Sequence, residues 1–197
     1  MTEKRMFDIS IIASGGVPES GLPYVARVTR GADLRGVVLS EIDEGQRAKD
    51  LELLHKIILH KHLSVLEFSN ILYQIECPIY IARQLMRYRC SSFLERSLRV
   101  CGPMEGDAVL DGYKNAIESG MKREDARALL PLSTRTRFLW LVNLRELLHI
   151  AEERLTPAAQ SMTREIVHAM VNLAEQEFPH VIGYWEEQRE GATCPTK

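Results

Sequence analysis

The first 40 residues carry short apolar runs of the kind that form strands. Residues 7–12 are rich in β-branched and aromatic side chains and lead into a Ser-Gly-Gly sequence at 14–16. This pattern predicts a strand followed by a turn. Residues 25–28 and 37–39 are two further short strand candidates.

A helix and another strand are predicted next. Between residues 46 and 60 the pattern favours a helix, because helical spacing relates Leu51, Leu54, Ile57 and Ile58. Residues 68–75 alternate instead, and a strand there would place on one face Ile71, Tyr73 and Ile75.

A proline marks the beginning of the following helix. Pro78 suits a first helical position, because that position needs no N–H donor. We expect the helix to cover residues 79–87 and to bury Ile79, Ala82 and Met86. Residues 102–112 are typical of a loop, and helices are predicted over 112–119 and 122–130, the last ended by Pro131.

The last third of the chain has helical spacing throughout. Residues 135–153 predict one helix, with a spacing that relates Phe138, Leu141, Leu144, Leu148 and Ala151. Thr156-Pro157 predicts the N-cap and first turn of another, which ends before Pro179 and buries Met162, Ile166, Met170 and Leu173. A mixed first half and a helical second half without a linker predict a single α/β (α+β) domain over residues 1–197.

Composition narrows the class of protein. The 197 residues are 45% hydrophobic and 26% charged, and the formal net charge is −2. Such a chain buries a core, so disorder is excluded as its main state. The net negative charge argues against a protein that tracks a nucleic acid polymer. The sequence holds no run of about 18 apolar residues and no secretory pattern at its start, so neither a membrane span nor export is expected.

Cysteine and histidine spacing indicates neither a disulfide framework nor a metal site. The four cysteines form no CxxC pair, which favours reduced thiols in a cytoplasmic protein. His55, His60 and His62 lack the HExxH spacing of a zinc helix. We therefore expect no metal, and histidines that face solvent or a ligand.

The most informative segment runs from residue 77 to residue 100. It carries five arginines and has no acidic residue before Glu95. Arg83 and Arg87 are four residues apart, so on a helix their like charges repel one another. An anion held by forked guanidinium donors would offset this repulsion. The alternative is that the arginines pair with acids elsewhere or lie on a solvated face.

The same segment resembles the signature of the flavin-dependent thymidylate synthases. The family signature RHRxxSxNExSxRY corresponds to RYRCSSFLERSLRV at 87–100. HLSVLE at 62–67 is similar to the family's GHxSxxE, and ARALLPLSTRTRFLWLVNLRELLH at 126–149 to its ARxxLPLxxYTxFxxxxNxRxLxxF block. Arg154 and Gln160 fit the terminal RxxxxAQ element. Several blocks in the family's order cover roughly residues 25 to 185.

The resemblance implies a fold, a reaction and an assembly. Members have a twisted, mostly antiparallel sheet with helices, and they form homotetramers with FAD bound between subunits. They methylate C5 of a uridine monophosphate, dUMP or UMP, with methylenetetrahydrofolate as carbon donor and NADPH as reductant. The small-molecule nucleotide is not attacked by an enzyme cysteine in this family.

Site residues follow from the resemblance position by position. The implied flavin ligands are Thr29, His62, Ser64, Glu67, Arg87, Tyr88, Arg89, Asn143, Arg145 and His149. The implied nucleotide ligands are Gln84, Glu95, Ser97, Arg99, Arg127 and Arg154. Of these, Arg154 and Ser97 are the implied catalytic pair, with Arg154 beside the uracil, where it would stabilise charge developing on the ring. Ser97 is implied to bind substrate rather than to act as a nucleophile.

Three positions depart from the signature. Tyr88 replaces the family His and cannot carry positive charge at neutral pH. Leu94 replaces Asn and Val100 replaces Tyr. This pattern around an intact Arg/Ser/Glu set is similar to a specialised branch, the UMP/dUMP methylases of polyoxin-type nucleoside-antibiotic biosynthesis. Two other functions stay open: a degenerate member that binds flavin or nucleotide without turnover, and an RNA-binding module built on the arginine segment.

Overall fold

The computed structural model describes residues 6–35, 37, 47–104, 107 and 111–193, with side chains as far as residue 191. The strands are β1 (Asp8–Gly16), β2 (Ser69–Pro78), β3 (Ser91–Glu95) and β4 (Arg135–Asn143). The α-helices are α1 (Leu22–Arg27), α2 (Arg47–Leu59), α3 (Ile79–Leu85), α4 (Asp111–Glu118), α5 (Arg123–Ala126), α6 (Leu144–Arg154), α7 (Ser161–Glu177) and α8 (Pro179–Thr193). Short 3₁₀ segments cover Glu19–Gly21, Val28–Arg30, Leu63–Phe68 and Arg127–Leu129.

The strands form one sheet in the order β1-β2-β4-β3, and each neighbouring pair is antiparallel. Tyr73 of β2 and Phe93 of β3 both lie opposite Trp140 of β4. The sheet therefore confirms the predicted antiparallel arrangement, and β4 places the arginine segment next to the core.

One face of the sheet is covered by helices. Burial alternates along β4, where Phe138 and Trp140 are almost fully buried and Arg137 is exposed. The buried face packs against the apolar sides of α6 and α7. Tyr73 reaches across the core and donates a hydrogen bond from its hydroxyl to the Met170 carbonyl of α7 (2.9 Å).

Several predicted elements are confirmed. The strand predicted at 7–12 extends to Gly16, and the strand at 68–75 buries the predicted face of Ile71, Tyr73 and Ile75 completely. The helices predicted over 46–60 and 112–119 correspond to α2 and α4. Among the described residues no helix has the length and apolar character needed to cross a membrane.

The prediction for residues 135–153 is wrong in its first half. Residues 135–143 form β4, and only residues 144–154 are helical. The apolar positions fit a helical period, but an alternation through Phe138, Trp140 and Val142 fits a strand as well. Residues 135–143 form a strand and not a helix because they pair with both β2 and β3.

Other boundaries also differ from the predictions. Residues 25–28, predicted as a strand, instead form the end of α1 and the beginning of a 3₁₀ segment. Of the strand candidate at 37–39, the structure describes only Val37, which belongs to no regular element. Thr156-Pro157 does not begin a helix, since α7 begins at Ser161 with Gln160 as N-cap. The predicted helix over 122–130 is a four-residue helix continued by a 3₁₀ turn.

The helix after Pro78 is shorter than predicted and turns a different face to the core. Pro78 is its N-cap, with the extended backbone of the preceding strand, and α3 ends at Leu85. Ala82 is buried as predicted, but the core receives Ile81 and Leu85 instead of Ile79 and Met86, which are only partly buried. The end of α3 at Leu85 leaves Arg87 in a turn, where its side chain is exposed.

Candidate active site

A cleft of about 900 Å³ gathers three of the six predicted nucleotide ligands. Its walls include Glu95, Ser97 and Arg127, together with Arg83 from α3 and Glu124 from α5. Glu95 Oε1 accepts a hydrogen bond from Thr136 Oγ1 (2.8 Å), which anchors this carboxylate to β4. The cleft therefore combines cations with one fixed acceptor.

Two arginines beside this cleft are held by Glu124. Arg99 Nε donates to Glu124 Oε2 (3.1 Å), and Arg127 Nε donates to the Glu124 backbone carbonyl (3.0 Å). Both contacts use Nε, and both side chains are exposed. The terminal nitrogens of the two guanidinium groups can therefore serve as forked donors to a phosphate.

The arginines at 83, 87 and 89 have no protein partner in the described part of the chain. Arg83, Arg87 and Arg89 are exposed, and none of them makes a hydrogen bond or an ion pair with a described residue. Arg96, by contrast, donates to the Gly102 carbonyl (2.6 Å). Pairing with acids elsewhere therefore fails for these three side chains, whereas the other alternative, a position on a solvated face, agrees with their exposure.

Tyr88 lies between these arginines but points into the core. Its side chain is buried, and its ring stacks on that of Trp140 with centroids 6.4 Å apart. The hydroxyl donates to Glu153 Oε2 (2.7 Å) and accepts from Arg154 Nε (2.6 Å). Burial, and after it the hydrogen bond to Glu153, raises the pKa of Tyr88 to about 12, so the phenol is protonated at neutral pH.

Gln84 and Arg154, like Arg99, are not among the residues that line the 900 Å³ cleft. Gln84 donates to Gln160 Oε1 (2.6 Å) and accepts from Thr163 Oγ1 (3.1 Å), so it lies against the beginning of α7. Arg154 ends α6 and is fixed by Tyr88. Within one chain, these two predicted nucleotide ligands thus hydrogen-bond to residues other than those that line the cleft with Glu95, Ser97 and Arg127.

A second cleft, of about 540 Å³, brings together four predicted flavin ligands. These four are Glu67, Asn143, Arg145 and His149. Arg145 forms an ion pair with Glu67, and the Asn143 side chain caps α6 by accepting from the Glu146 N–H (2.8 Å). The cleft also contains exposed Cys90, which sequence reasoning did not single out.

A third cleft, of about 630 Å³, is lined by three other predicted flavin ligands. Thr29, His62 and Ser64 line it, and basic side chains at its edge come from Arg30 and Lys56. The remaining wall is largely apolar, with contributions from α1, α2 and the 3₁₀ segment at 63–68. An apolar wall next to cations suits a planar ring that carries a phosphate.

Glu153 is the residue of this region that the sequence analysis missed. It contacts Tyr88 through one carboxylate oxygen, and its other oxygen lies 3.6 Å from His149 Nε2. No motif pointed to it; the helical spacing of His149 and Glu153 on α6 was the available signal. Among the described residues no group of His, Cys, Asp or Glu side chains is arranged to bind a metal ion.

Known proteins are similar to this chain over most of its length. The family model described as thymidylate synthase complementing protein (Thy1) matches residues 18–180. The flavin-dependent thymidylate synthase of Thermus thermophilus is 27% identical over 212 residues, which cover 87% of this chain and 78% of that protein. The enzyme of the same name from Thermotoga neapolitana is 27% identical over 180 residues, which cover 76% of this chain and 83% of the relative.

A solved structure has the same fold. It is the UMP/dUMP methylase PolB from Streptomyces cacaoi bound with 5-Br dUMP, with a TM-score of 0.76 and 19% sequence identity. The match covers 92% of this chain and 95% of that one. This similarity confirms the predicted class of fold, an antiparallel sheet with helices.

Proposed function

The chain belongs to the thymidylate synthase complementing protein family, and from this premise we propose that it methylates C5 of a uridine monophosphate, dUMP and/or UMP. The family assignment made from the motifs is confirmed. The observation that carries the proposal is the set of three exposed arginines that have no partner among the described residues, of which Arg83 lines the 900 Å³ cleft. Guanidinium groups that no described acid neutralises are available to bind anionic ligands such as a phosphate.

The residues of the chain fit FAD as the cofactor. Its diphosphate needs cations, and Arg87 and Arg89 offer guanidinium groups that no described residue neutralises. Its ring systems need apolar walls with a few hydrogen-bonding groups, which the 540 and 630 Å³ clefts supply. We place the cofactor with nine of the ten residues that the family motifs imply. The tenth, Tyr88, lies in the core with its hydroxyl bonded to Glu153 and Arg154. Bound FAD supplies the reducing equivalents of the reaction.

The nucleotide is proposed to bind by its phosphate and by its base. Arg99 and Arg127 hold the phosphate dianion through their terminal nitrogens, and Ser97 and Glu95 supply nearby hydrogen-bonding groups. Gln84 and Arg154 bind the pyrimidine. The Arg154 guanidinium stabilises negative charge on the uracil ring, because a fixed cation needs no reorganisation when charge develops.

The chemistry balances with two further co-substrates. The methylene carbon of methylenetetrahydrofolate forms a new bond to C5, its bonds to the folate nitrogens break, and tetrahydrofolate leaves. The C5 proton is released, and a hydride that originates from NADPH, which becomes NADP⁺, completes the methyl group. Arg154 and Ser97 are the residues of this chain that we place closest to the reacting base. Specialisation toward nucleoside-antibiotic biosynthesis is part of the proposal and rests on the departures at 88, 94 and 100.

We also propose that the active site is completed between subunits of a homotetramer. The predicted nucleotide ligands are divided between the 900 Å³ cleft and the Tyr88–Arg154 region, and the flavin ligands are divided between two clefts. A neighbouring copy would complement both divided sets. Sedimentation velocity of the purified protein tests this assembly, and a monomer at assay concentration would contradict it.

A product assay tests the reaction. The protein is reconstituted with FAD and incubated with methylenetetrahydrofolate and NADPH, on UMP and dUMP in parallel. We expect a 5-methylated monophosphate that disappears when any component is omitted. Nucleotide and flavin binding without product would identify a binding protein, whereas a protein that retains no FAD would overturn the proposal.

A further inference from the structure

Glu153 and Arg154 are adjacent in sequence yet form no ion pair. Both contact the Tyr88 hydroxyl instead, which donates to the carboxylate (2.7 Å) and accepts from the guanidinium Nε (2.6 Å). No ion pair joins Glu153 to Arg154 in this part of the structure. The phenol thus separates two opposite charges that would otherwise attract one another.

The position of this hydroxyl is fixed by packing. Tyr88 has 7% of its surface exposed, and its ring stacks on Trp140 and contacts His149 edge-on, with the Tyr88 and His149 centroids 6.3 Å apart. Trp140 is itself fully buried, and its Nε1 donates to Ser91 Oγ (2.9 Å). Because the ring packs between Trp140 and His149, its hydroxyl has a fixed position. The Glu153 and Arg154 groups that hydrogen-bond to this hydroxyl are therefore fixed as well.

The direction of the two hydrogen bonds follows from protonation. A protonated phenol has one hydrogen to donate and lone pairs that accept, and an ionised carboxylate can only accept. Tyr88 therefore donates to Glu153 and accepts from Arg154. Arg154 keeps both terminal amino groups unused by these contacts, and its Cζ lies 5.4 Å from the Tyr88 ring centroid.

We propose that Tyr88 is a positioning residue that keeps the Arg154 guanidinium apart from Glu153 and aimed at the pyrimidine of the nucleotide. This inference rests on the proposed function, because it assigns a task to Arg154 in methylation. The family His at this position could carry a charge of its own, whereas the neutral phenol bridges an acid and a base. Tyr88 therefore has a role of its own in this chain and is not merely the loss of the family histidine.

The test uses substitutions that remove one atom or one charge. Tyr88→Phe keeps the ring and removes the hydroxyl, so Arg154 is expected to turn onto Glu153. The kcat for methylation of UMP should then fall at least about 10-fold, while KM for UMP changes less, because the lost contact acts on developing charge. Glu153→Gln in the same chain removes the competing charge and should restore most of kcat.

The matched control is Tyr73→Phe, which removes another buried hydroxyl, one that is bonded to α7. It should lower stability without changing kcat, because the Tyr73 hydroxyl donates to Met170 and not to Arg154. A loss of kcat in Tyr88→Phe that Glu153→Gln fails to restore would overturn the proposal, as would an unchanged kcat.

Crystal structures of the unliganded wild-type and Tyr88→Phe proteins separate this inference from the proposed function. We expect an Arg154–Glu153 ion pair in the variant alone. If that pair forms but the wild-type protein makes no methylated nucleotide, the proposed function fails and the positioning role stands. If the wild-type protein is active and Arg154 keeps its orientation in the variant, only the positioning role fails.

Discussion

Arg99 Nε lies 3.1 Å from Glu124 Oε2, so a proposed phosphate ligand is paired with an acid in the wall of the same cleft. The pair is open to solvent, with 65% of the Arg99 and 39% of the Glu124 side chain exposed. Its contribution to the free energy of unfolding is therefore small, about 1 kcal/mol or less. Its main effect is on the electrostatic potential that an incoming phosphate meets.

Glu124→Gln should tighten UMP binding. Loss of the carboxylate removes a repulsion from the phosphate and releases Arg99, so the Kd measured by calorimetry should fall about 2- to 5-fold. Uridine, which lacks the phosphate, should bind as it does to the wild-type protein. Glu118→Gln on α4 is the control for loss of an exposed negative charge; an equal change there would show a general charge effect.

Removal of a nucleotide-binding guanidinium should weaken binding of UMP or dUMP. For Arg99→Ala or Arg154→Ala we expect a loss of about 1.5–3 kcal/mol, the range for a hydrogen bond to a charged group. Titration calorimetry gives the value directly. Arg47→Ala, at the exposed beginning of α2, should leave the affinity unchanged. If neither site variant loses affinity, the nucleotide site is misplaced.

Tyr73→Phe should destabilise the fold without affecting ligand binding. The substitution leaves the Met170 carbonyl without its buried donor, which costs about 0.5–1.5 kcal/mol of the free energy of unfolding. Urea denaturation should show a lower midpoint with an unchanged m-value. A stability equal to that of the wild-type protein would mean that water or a rearrangement replaces this hydrogen bond.

Cys77 and Cys90 should react with an alkylating reagent at very different rates. Burial raises the pKa of the Cys77 thiol to about 12, so at neutral pH it offers almost no thiolate and no access. Cys90 is exposed in the 540 Å³ cleft. Peptide mass spectrometry after iodoacetamide treatment should find Cys90 modified and Cys77 intact, and bound FAD should slow modification of Cys90. Labelling of Cys90 that FAD does not affect would argue against flavin in that cleft.

Sequence reasoning recovers the elements whose pattern has a single interpretation. The face of Ile71, Tyr73 and Ile75 is strictly alternating, and the structure buries it as predicted. Residues 135–143 satisfy a helical and a strand period together, so only the pairing of β4 with its neighbours decides between them. Asn143, whose side chain caps α6, was the local signal that the helix begins there.

The candidate site, like the fold, could be predicted from the sequence only in part. The family resemblance implied ten flavin ligands, and the structure brings four of them, Glu67, Asn143, Arg145 and His149, into one cleft. The bridge through Tyr88 could not be predicted, because it depends on how far the ring enters the core and on the side-chain direction of Glu153. The end of α3 at Leu85, which exposes Arg87, is likewise set by tertiary packing.

Affinity of the unliganded protein for FAD tests most directly whether the unpartnered guanidinium groups are ligand sites. Fluorescence titration is carried out on the wild-type protein and on Arg87→Met and Arg89→Met, with Arg47→Met as control. We expect each of the two site variants to bind FAD at least about 10-fold more weakly, with unchanged midpoints of urea unfolding. FAD affinities equal to that of the wild-type protein in both site variants would contradict the account.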